Sequence, residues 1–298
     1  MSISRRSFVA ATAVLGALPG ATFANSTNPE SEQEISMPGR TPHTKFAVNI
    51  EMWFRGPLHE RIAAVAELGF PAIEFWPYEN KDISQVGELL RQHEMTATQF
   101  TAWGFGRELN HPALTAERFL GAIETSCAVA DELPGCDLFT VVLGDNIDGF
   151  SKAEMHAAAI EKIIQAVPIL EKHGKTMIIE PMNPYNHPGH CLYGSADGIA
   201  ICQAIGSEHV KLNWDLFHMQ RFEGNLIDNM RRGRDYIGYL QFADSPGRFE
   251  PGTGEVNFTN VLQAIHEIGY NRPIGLECLP QDGDTRRAAA RVHAADTW

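Results

Sequence analysis

The sequence predicts a single (β/α)₈ barrel, and three observations lead to this fold class. Eight short apolar segments alternate with amphipathic segments along most of the 298 residues, the order expected of a parallel barrel. The length suits one large domain, because α/β barrels typically use roughly 250 residues. No G-x-G-x-x-G motif follows a strand segment. This absence argues against the main alternative, a doubly wound open sheet.

The composition predicts a soluble globular protein with no affinity for nucleic acid. Hydrophobic residues make up 44% of the chain and charged residues 20%, which is unlike a disordered protein. The formal net charge is −13, and no run of Lys and Arg follows the first residues. The five cysteines show no CxxC spacing, so neither a disulfide framework nor a zinc-thiolate site is indicated. One bridge stays open as an option in an oxidising compartment.

The first 24 residues resemble a twin-arginine export signal. Arg5 and Arg6 precede an apolar run from Val9 to Leu18, and small residues near Ala24 suit cleavage there. The run is far shorter than the roughly 20 residues of a membrane-spanning helix, although an anchor or a chance Arg pair is the alternative. We therefore expect a periplasmic protein that is free of the membrane after cleavage. Residues 25–44 are predicted to be a flexible linker, and residues 45–298 the catalytic barrel.

The strands are predicted from short apolar runs that begin just after Lys45. Alternation with helical patterns then assigns one strand to each of the eight units. The predicted strands are Phe46–Glu51, Ala72–Trp76, Ala97–Thr101, Leu138–Leu143, Met177–Glu180, Val210–Asp215, Ile237–Ala243 and Ile274–Cys278.

The helices between the strands are predicted from apolar residues at helical spacing. The first such pattern ends at Gly69. The clearest lies between the fourth and fifth strands, where Ser151 and Glu154 form a capping-box pattern and Gly174 can close the helix. Pro168 is predicted to kink it.

Four of the predicted strands end in a side chain that can offer oxygen to a metal. Glu180, Asp215, Gln241 and Glu277 are spaced 35, 26 and 36 residues apart, close to one β/α unit each. Barrel enzymes place their chemistry at this end of the strands. Converging carboxylates would repel one another without a cation, and oxygen ligands suit Mg²⁺ or Mn²⁺. Any one of these residues alone could equally be a helix cap or a salt-bridge partner. Together they predict one divalent metal site.

The segments around these four residues resemble the hydroxypyruvate isomerase family of xylose-isomerase-like barrels. The similar motifs span residues 45–281 and are sharpest from Glu180 onward. They are Ile179-Glu180-Pro181-Met182-Asn183, Trp214-Asp215-Leu216-Phe217-His218-Met219-Gln220-Arg221, Gln241-Phe242-Ala243-Asp244-Ser245-Pro246-Gly247-Arg248, Glu250-Pro251-Gly252-Thr253-Gly254-Glu255 and Gly275-Leu276-Glu277. The resemblance implies a metal held by the four strand-end residues, with Glu180 and Glu277 also acting as the acid and base. Such an enzyme would interconvert hydroxypyruvate and 2-hydroxy-3-oxopropanoate, or a related small keto acid or sugar, through an enediolate.

Three further residues are candidates for substrate binding. His218 matches a histidine that hydrogen-bonds a substrate oxygen in related ketose epimerases, and its alternative is a packed loop residue. Arg248 could bind a substrate carboxylate or only brace its loop. Glu74, at the end of the second strand, could contact substrate or pair with Arg55 or Lys81. Bulky aromatic residues near the ends of the first three strands are predicted to line the pocket or to pack in the core, namely Trp53, Phe54, Trp76, Tyr78 and Trp103.

Two departures limit the resemblance. Ketose 3-epimerases of this fold carry a histidine where Gln241 stands and a glutamate where Asn186 stands, which argues against that activity. Export is unusual for hydroxypyruvate metabolism. A periplasmic sugar epimerase or lyase acting on oxidised carbohydrates, or a non-catalytic sugar-acid binding protein, therefore remains as an alternative. The sequence leaves the oligomeric state open, a homo-oligomer included.

Overall fold

Eight parallel strands close into a barrel in the order β1 to β8, which confirms the predicted fold class. The computed structural model describes residues 36–298, so the predicted export signal and the first part of the predicted linker lie outside the described residues. The strands are β1 (Phe46–Asn49), β2 (Ala72–Phe75), β3 (Thr96–Trp103), β4 (Leu138–Val141), β5 (Thr176–Ile179), β6 (Val210–Asp215), β7 (Ile237–Gln241) and β8 (Ile274–Leu276).

Strand β1 is shorter than its apolar run predicts. The side chain of Asn49 accepts hydrogen bonds from the backbone N–H groups of Glu51 and Met52, both at 3.2 Å. An asparagine in this position caps the first turn of a helix. The chain therefore leaves the sheet at Asn49 and forms a helical turn where the sequence pattern predicted two more strand residues.

Helices surround the barrel in the intervals between strands. Helix α5 begins with the predicted capping box of Ser151 and Glu154 and is closed by Gly174, whose φ of 62° lies in the left-handed region. It is continuous through Pro168. The helices are α1 (Ile50–Trp53), α2 (Leu58–Leu68), α3 (Ile83–Gln92), α4 (Glu117–Glu132), α5 (Lys152–His173), α6 (Gly194–Ile205), α7 (Leu216–Phe222), α8 (Leu226–Gly233), α9 (Phe258–Glu267) and α10 (Thr285–Ala295).

The main apolar core lies between the strands and the helices, and a smaller one lies inside the barrel. The interior cluster contains Leu138, Ile178 and Tyr239, and the Tyr239 hydroxyl is 2.8 Å from Thr98 Oγ1. Towards the carboxyl ends of the strands this apolar layer gives way to a polar layer of buried, hydrogen-bonded side chains, namely Asn49, Glu74, Gln99, Asn213 and Gln241. The barrel interior is therefore filled with side chains, and space for a substrate lies towards the carboxyl ends of the strands.

Contacts with the barrel begin before Lys45. The backbone N–H of Gly39 donates to the carbonyl of Leu68 at 2.8 Å, and Asp296 accepts hydrogen bonds from Thr44. Residues 36–44, part of the predicted linker, thus contact the folded domain. All five cysteines lie within the described residues, where they are buried and unpaired. Among residues 36–298, no helix combines the length and apolar character needed to cross a bilayer.

Candidate active site

A cavity of about 460 Å³ opens at the carboxyl ends of the strands. Glu180 directly follows β5 and Glu277 directly follows β8, so both carboxylates reach it from strand ends. Much of the remaining wall is apolar or aromatic, with Arg107 and Glu79 also contributing. The cavity is lined by Trp76, Pro77, Glu79, Thr101, Ala102, Gly104, Phe105, Arg107, Val142, Glu180, Met182, His187, His218, Arg248 and Glu277.

Three buried carboxylates converge beside this cavity. Asp215 is fully buried, and Glu180 and Glu277 are only 7% and 4% exposed. Burial, followed by the charge of Glu277, raises the pKa of Glu180 well above its ordinary value. Burial also raises the pKa of Asp215, although the Arg248 guanidinium opposes that shift. The charged forms of these carboxyl groups are therefore unfavourable in this buried site unless a cation compensates them.

His218 joins two of these carboxylates in a group that could hold a metal ion. Glu180, Asp215 and His218 each offer a ligand atom, and these atoms lie within 4.8 Å of one another. The His218 Nε2 atom is 3.4 Å from Asp215 Oδ2, while its Nδ1 atom is 2.7 Å from Asn183 Nδ2. Burial lowers the pKa of His218 well below its ordinary value, which favours the neutral imidazole that metals bind.

From its sequence context, His218 was predicted to be a substrate contact or a packed loop residue, and not a member of the metal-binding group. Its position three residues after Asp215, at the start of α7, is the spacing that brings two side chains to one side of a helical turn. That spacing was the sequence signal that could have placed His218 in the same metal-binding group as Asp215.

Gln241, a predicted metal ligand, lies beside Asp215 but has other partners. The two residues are paired in the β6–β7 register. The Gln241 Oε1 atom accepts a hydrogen bond from Asn213 Nδ2 at 2.6 Å, and its Nε2 atom donates to Glu74 Oε1 at 2.9 Å. The side chain is 1% exposed, does not line the cavity and lies in the polar layer beneath it.

Glu277 is held at both of its oxygens. The Trp76 Nε1–H donates to Oε1 at 3.0 Å, and Arg248 Nη2 donates to Oε2 at 2.6 Å. Arg248 also lies 3.4 Å from Asp215 Oδ2, and its guanidinium is stacked 5.0 Å from the centre of the Phe217 ring. Arg248 thus lines the cavity as predicted, but its guanidinium is already paired with two carboxylates. The Trp76 hydrogen bond was not foreseen.

The other predicted aromatic residues lie away from the cavity. Trp53 packs edge to face on Phe70 at 5.6 Å between ring centres, and Trp103 packs in the same way on Phe119 at 5.2 Å. Neither these two nor Phe54 and Tyr78 line the cavity. Their place in the core is the alternative that bulky apolar side chains usually take.

Glu74 does not reach the cavity, contrary to the role in substrate binding that was predicted. The Glu74 side chain points into the barrel and is fully buried. It accepts hydrogen bonds from Asn49, Gln99 and Gln241, and neither Arg55 nor Lys81 pairs with it. Burial, then the charge of Glu277, raises the pKa of Glu74 to about 7. Lys81 instead forms an ion pair with Glu51 at 2.9 Å.

Comparison with known proteins agrees with this architecture. Residues 62–295 match the family model described as xylose isomerase-like TIM barrel. The hydroxypyruvate isomerase of Escherichia coli K12 is 31% identical over 244 residues, covering 80% of this chain and 94% of the relative. The 2-oxo-tetronate isomerase of Cupriavidus necator is 31% identical over 247 residues, with the same coverage of both chains.

Solved structures give the same fold. A structure from Brucella melitensis titled AP endonuclease, family 2, is 26% identical with a TM-score of 0.77, over 83% of this chain and 97% of that one. A 3-keto-D-glucoside 4-epimerase from Escherichia coli is similar in fold, with a TM-score of 0.71 at 18% identity, over 85% and 98% of the two chains.

Proposed function

Because the chain belongs to the xylose isomerase-like TIM barrel family, we propose that it interconverts hydroxypyruvate and 2-hydroxy-3-oxopropanoate, or a closely related hydroxy-keto acid. The chain is an isomerase, since several curated relatives are named hydroxypyruvate isomerase or 2-oxo-tetronate isomerase. Both names describe keto acid isomerases. The identity of the substrate and the mechanism are the parts that we propose.

One observation carries the proposed mechanism, which is that Glu180 and Glu277 reach one cavity from the ends of β5 and β8. Their environments differ. Glu277 accepts hydrogen bonds at both oxygens, whereas no residue between 36 and 298 donates a hydrogen bond to the Glu180 side chain. Two carboxylates in unlike surroundings suit a reaction that needs both a base and an acid.

The isomerisation moves one carbon-bound proton to the neighbouring carbon. One carboxylate removes a proton from C3 of hydroxypyruvate, which gives an enediolate across C2 and C3. The other carboxyl group delivers a proton to C2, while the hydroxyl proton on the C3 oxygen passes to the C2 oxygen. The product is 2-hydroxy-3-oxopropanoate, and the enzyme's two carboxyl groups end with one proton between them, as they began. Arg248 beside Glu277 would hold that carboxylate in place throughout.

We further propose that the site binds one divalent cation, Mg²⁺ or Mn²⁺. The donor set can hold such an ion, because ligand atoms of Glu180, Asp215 and His218 converge within 4.8 Å and carboxylate oxygens are donors that Mg²⁺ and Mn²⁺ prefer. Gln241 and Glu277, each close to Asp215, complete the candidate set. When bound, the cation would offset the negative charge that develops on the substrate oxygens.

The decisive experiment measures proton exchange. Metal-loaded protein incubated with hydroxypyruvate in D₂O should incorporate deuterium and form 2-hydroxy-3-oxopropanoate, both followed by NMR. We expect Glu277→Gln to lower turnover by roughly 10²- to 10⁴-fold, the usual contribution of a general acid or base. Glu208→Gln is a matched control, because the Glu208 side chain is 91% exposed and remote from the cavity. Lack of exchange with both hydroxypyruvate and 2-oxo-tetronate, in protein of confirmed metal content, would refute the proposal.

The size of the cavity favours testing larger substrates in parallel. The cavity volume of about 460 Å³ lies in the usual range of small-molecule sites and leaves room for more than a three-carbon acid. A four-carbon keto acid or a sugar would fill it better. An epimerase acting on such a sugar is the second candidate function. Stereochemical inversion of a sugar without aldose-ketose conversion would favour it.

We also propose that the protein is exported by the twin-arginine route. The support is the Arg5-Arg6 pair before a short apolar run, in residues outside those that the structure describes. Fusing residues 1–44 to a reporter and fractionating the cells tests this proposal. Periplasmic reporter that becomes cytoplasmic on Arg5→Lys together with Arg6→Lys is the expected result, and unchanged export would contradict the route.

A further inference from the structure

The polar layer beneath the cavity is organised around one buried carboxylate. Three side-chain amides donate hydrogen bonds to Glu74: Asn49 Nδ2 at 3.1 Å, Gln99 Nε2 at 3.2 Å and Gln241 Nε2 at 2.9 Å. Glu74 is fully buried, and no cationic side chain within residues 36–298 forms an ion pair with it. A buried carboxylate placed among amides alone is costly to retain. Its hydrogen bond to Gln241, which lies beside Asp215, suggests a functional reason for keeping a carboxylate here.

The first two amides are fixed from their far sides. Asn49 Oδ1 accepts the backbone N–H groups that cap α1, and Gln99 Oε1 accepts the hydroxyl of Thr140 at 2.9 Å. Each must therefore turn its N–H towards Glu74, so the site of Glu74 is built to accept hydrogen bonds. Gln241 likewise turns its N–H towards Glu74, at 2.9 Å.

This constraint determines which atom Gln241 offers to its other side. With Nε2 on Glu74, the Oε1 atom faces β6, where it accepts one hydrogen bond from Asn213. A carbonyl oxygen has two lone pairs, so a second remains for another partner. An amide turned the other way would present N–H, which cannot bind a cation. Asp215, the register partner of Gln241, belongs to the group that could hold a metal.

We propose that Glu74 is a positioning residue that orients the Gln241 amide so that its oxygen can bind a divalent cation beside Asp215. The inference rests on the proposed metal site. It goes beyond that site because Glu74 would act on the cation through Gln241, without contacting the cation itself. Hydrogen-bond partners of metal ligands commonly act in this way, and their loss costs roughly 10- to 100-fold in metal affinity.

Gly275 supplies independent support for a fixed position of both side chains. A Cβ atom on Gly275 would lie 2.3 Å from Glu74 Oε2 and 2.9 Å from Gln241 Cγ. The φ of Gly275 does not lie in the left-handed region, so backbone conformation does not require glycine at this position. Glycine leaves room at this position for Glu74 and Gln241, and a Cβ atom here would displace them.

The test is isothermal titration of metal-free protein with MnCl₂. We expect Glu74→Gln to lower Mn²⁺ affinity roughly 10- to 100-fold, as for other such partners. Glu74→Gln also removes a charge. The Mn²⁺ affinity of Glu74→Asp is therefore measured as well, to separate the effect of charge from that of the hydrogen bond. Aspartate keeps the charge but withdraws the carboxylate from Gln241, and we expect a comparable loss. Full affinity in Glu74→Asp would mean that charge alone matters, and would overturn the inference.

Asp296 provides the matched control. It is a fully buried carboxylate that accepts hydrogen bonds from His43 N, Thr44 N and Thr44 Oγ1, next to the start of β1 and far from the cavity. Asp296→Asn should reduce thermal stability and leave Mn²⁺ affinity unchanged. An equal loss of affinity in Asp296→Asn would show a general effect of destabilisation and contradict the assigned role.

Two further outcomes separate the inference from the proposed function. If the wild-type protein binds no Mn²⁺, the proposed metal site fails, and the inference fails with it. If the wild type binds Mn²⁺ and both Glu74 variants bind equally well, only the inference fails. Should the Glu74 variants not fold, Gly275→Ala carries the same test, since its Cβ atom displaces Glu74 and Gln241 without changing any charge. We expect reduced Mn²⁺ affinity there, and wild-type affinity would overturn the inference.

Discussion

The indole N–H of Trp76 offers a direct measure of how much a positioned carboxylate contributes to turnover. Trp76→Phe keeps an aromatic ring on the cavity wall and removes only the 3.0 Å hydrogen bond to Glu277 Oε1. A hydrogen bond to a charged group contributes about 1.5–3 kcal/mol. Arg248 still holds the other oxygen at 2.6 Å, so the lower figure applies. A cost of about 1.5 kcal/mol corresponds to a roughly tenfold lower kcat/KM.

The assay is steady-state isomerisation of hydroxypyruvate, with thermal unfolding of each variant measured alongside. We expect the loss to fall mainly on kcat, because Glu277 acts on the reacting carbons. Trp103→Phe is the control, since the Trp103 Nε1 atom is buried without a hydrogen-bond partner in the described chain and the ring lies outside the cavity. A kcat/KM of Trp76→Phe within twofold of the wild type, or an equal loss in Trp103→Phe, would refute the reasoning.

Three further predictions concern the loop that carries Arg248, a buried histidine and a helix cap. Asp244 accepts hydrogen bonds from the backbone N–H groups of Ser245, Gly252, Thr253, Gly254 and Val256. Asp244→Ala should therefore lower the free energy of unfolding, measured in urea, by about 3 kcal/mol or more. It should also lower turnover, because the loop no longer holds Arg248 in place. Unchanged stability would show that water replaces these hydrogen bonds. Burial lowers the pKa of His190, so the folded state takes up its proton less readily than the unfolded chain, whose pKa is about 6.5. The contribution of neutral His190 to stability should therefore be complete above about pH 6.5 and should decrease as the pH falls towards the folded pKa. His190→Asn should show a smaller difference in Tm between pH 8 and pH 5 than the wild type. An undiminished difference would contradict this prediction. Ser151→Ala should lower the free energy of unfolding by about 1 kcal/mol, because it removes half of the capping box of α5, and urea titration would detect the change.

Much of the fold was predictable because its determinants are local. Apolar runs located all eight strands, and Ser151 with Glu154 located the start of α5. The first strand was predicted too long because an apolar run does not reveal where a side chain turns back to cap a helix. Asn49 does so, and an asparagine before a short segment was the only local sign.

The candidate site was less predictable, because its contacts depend on barrel closure. The positions of Glu180 and Glu277 followed from strand ends, and both line the cavity. The bond between Gln241 and Glu74 joins residues 167 positions apart in the chain, which no spacing rule anticipates. Glu74 was therefore predicted to contact substrate or to pair with Arg55 or Lys81, because its position near a strand end was the only information available. Its inward orientation depends on the amides that neighbouring strands bring to it.

The close packing of Glu74 against Gly275 also bears on how this barrel can vary among relatives. With only 2.3 Å between a Cβ atom at position 275 and the Glu74 carboxylate, a side chain at 275 must displace that carboxylate, so we expect the two positions to vary together. A chain that carries alanine or serine at 275 must move the Glu74 carboxylate or carry a shorter side chain at 74. An aligned set of relatives should therefore show paired substitution at these two strands, and directed evolution of the pocket should treat them as one site. The volume inside the barrel is shared between β2 and β8, so enlarging the residue on one strand displaces the residue on the other.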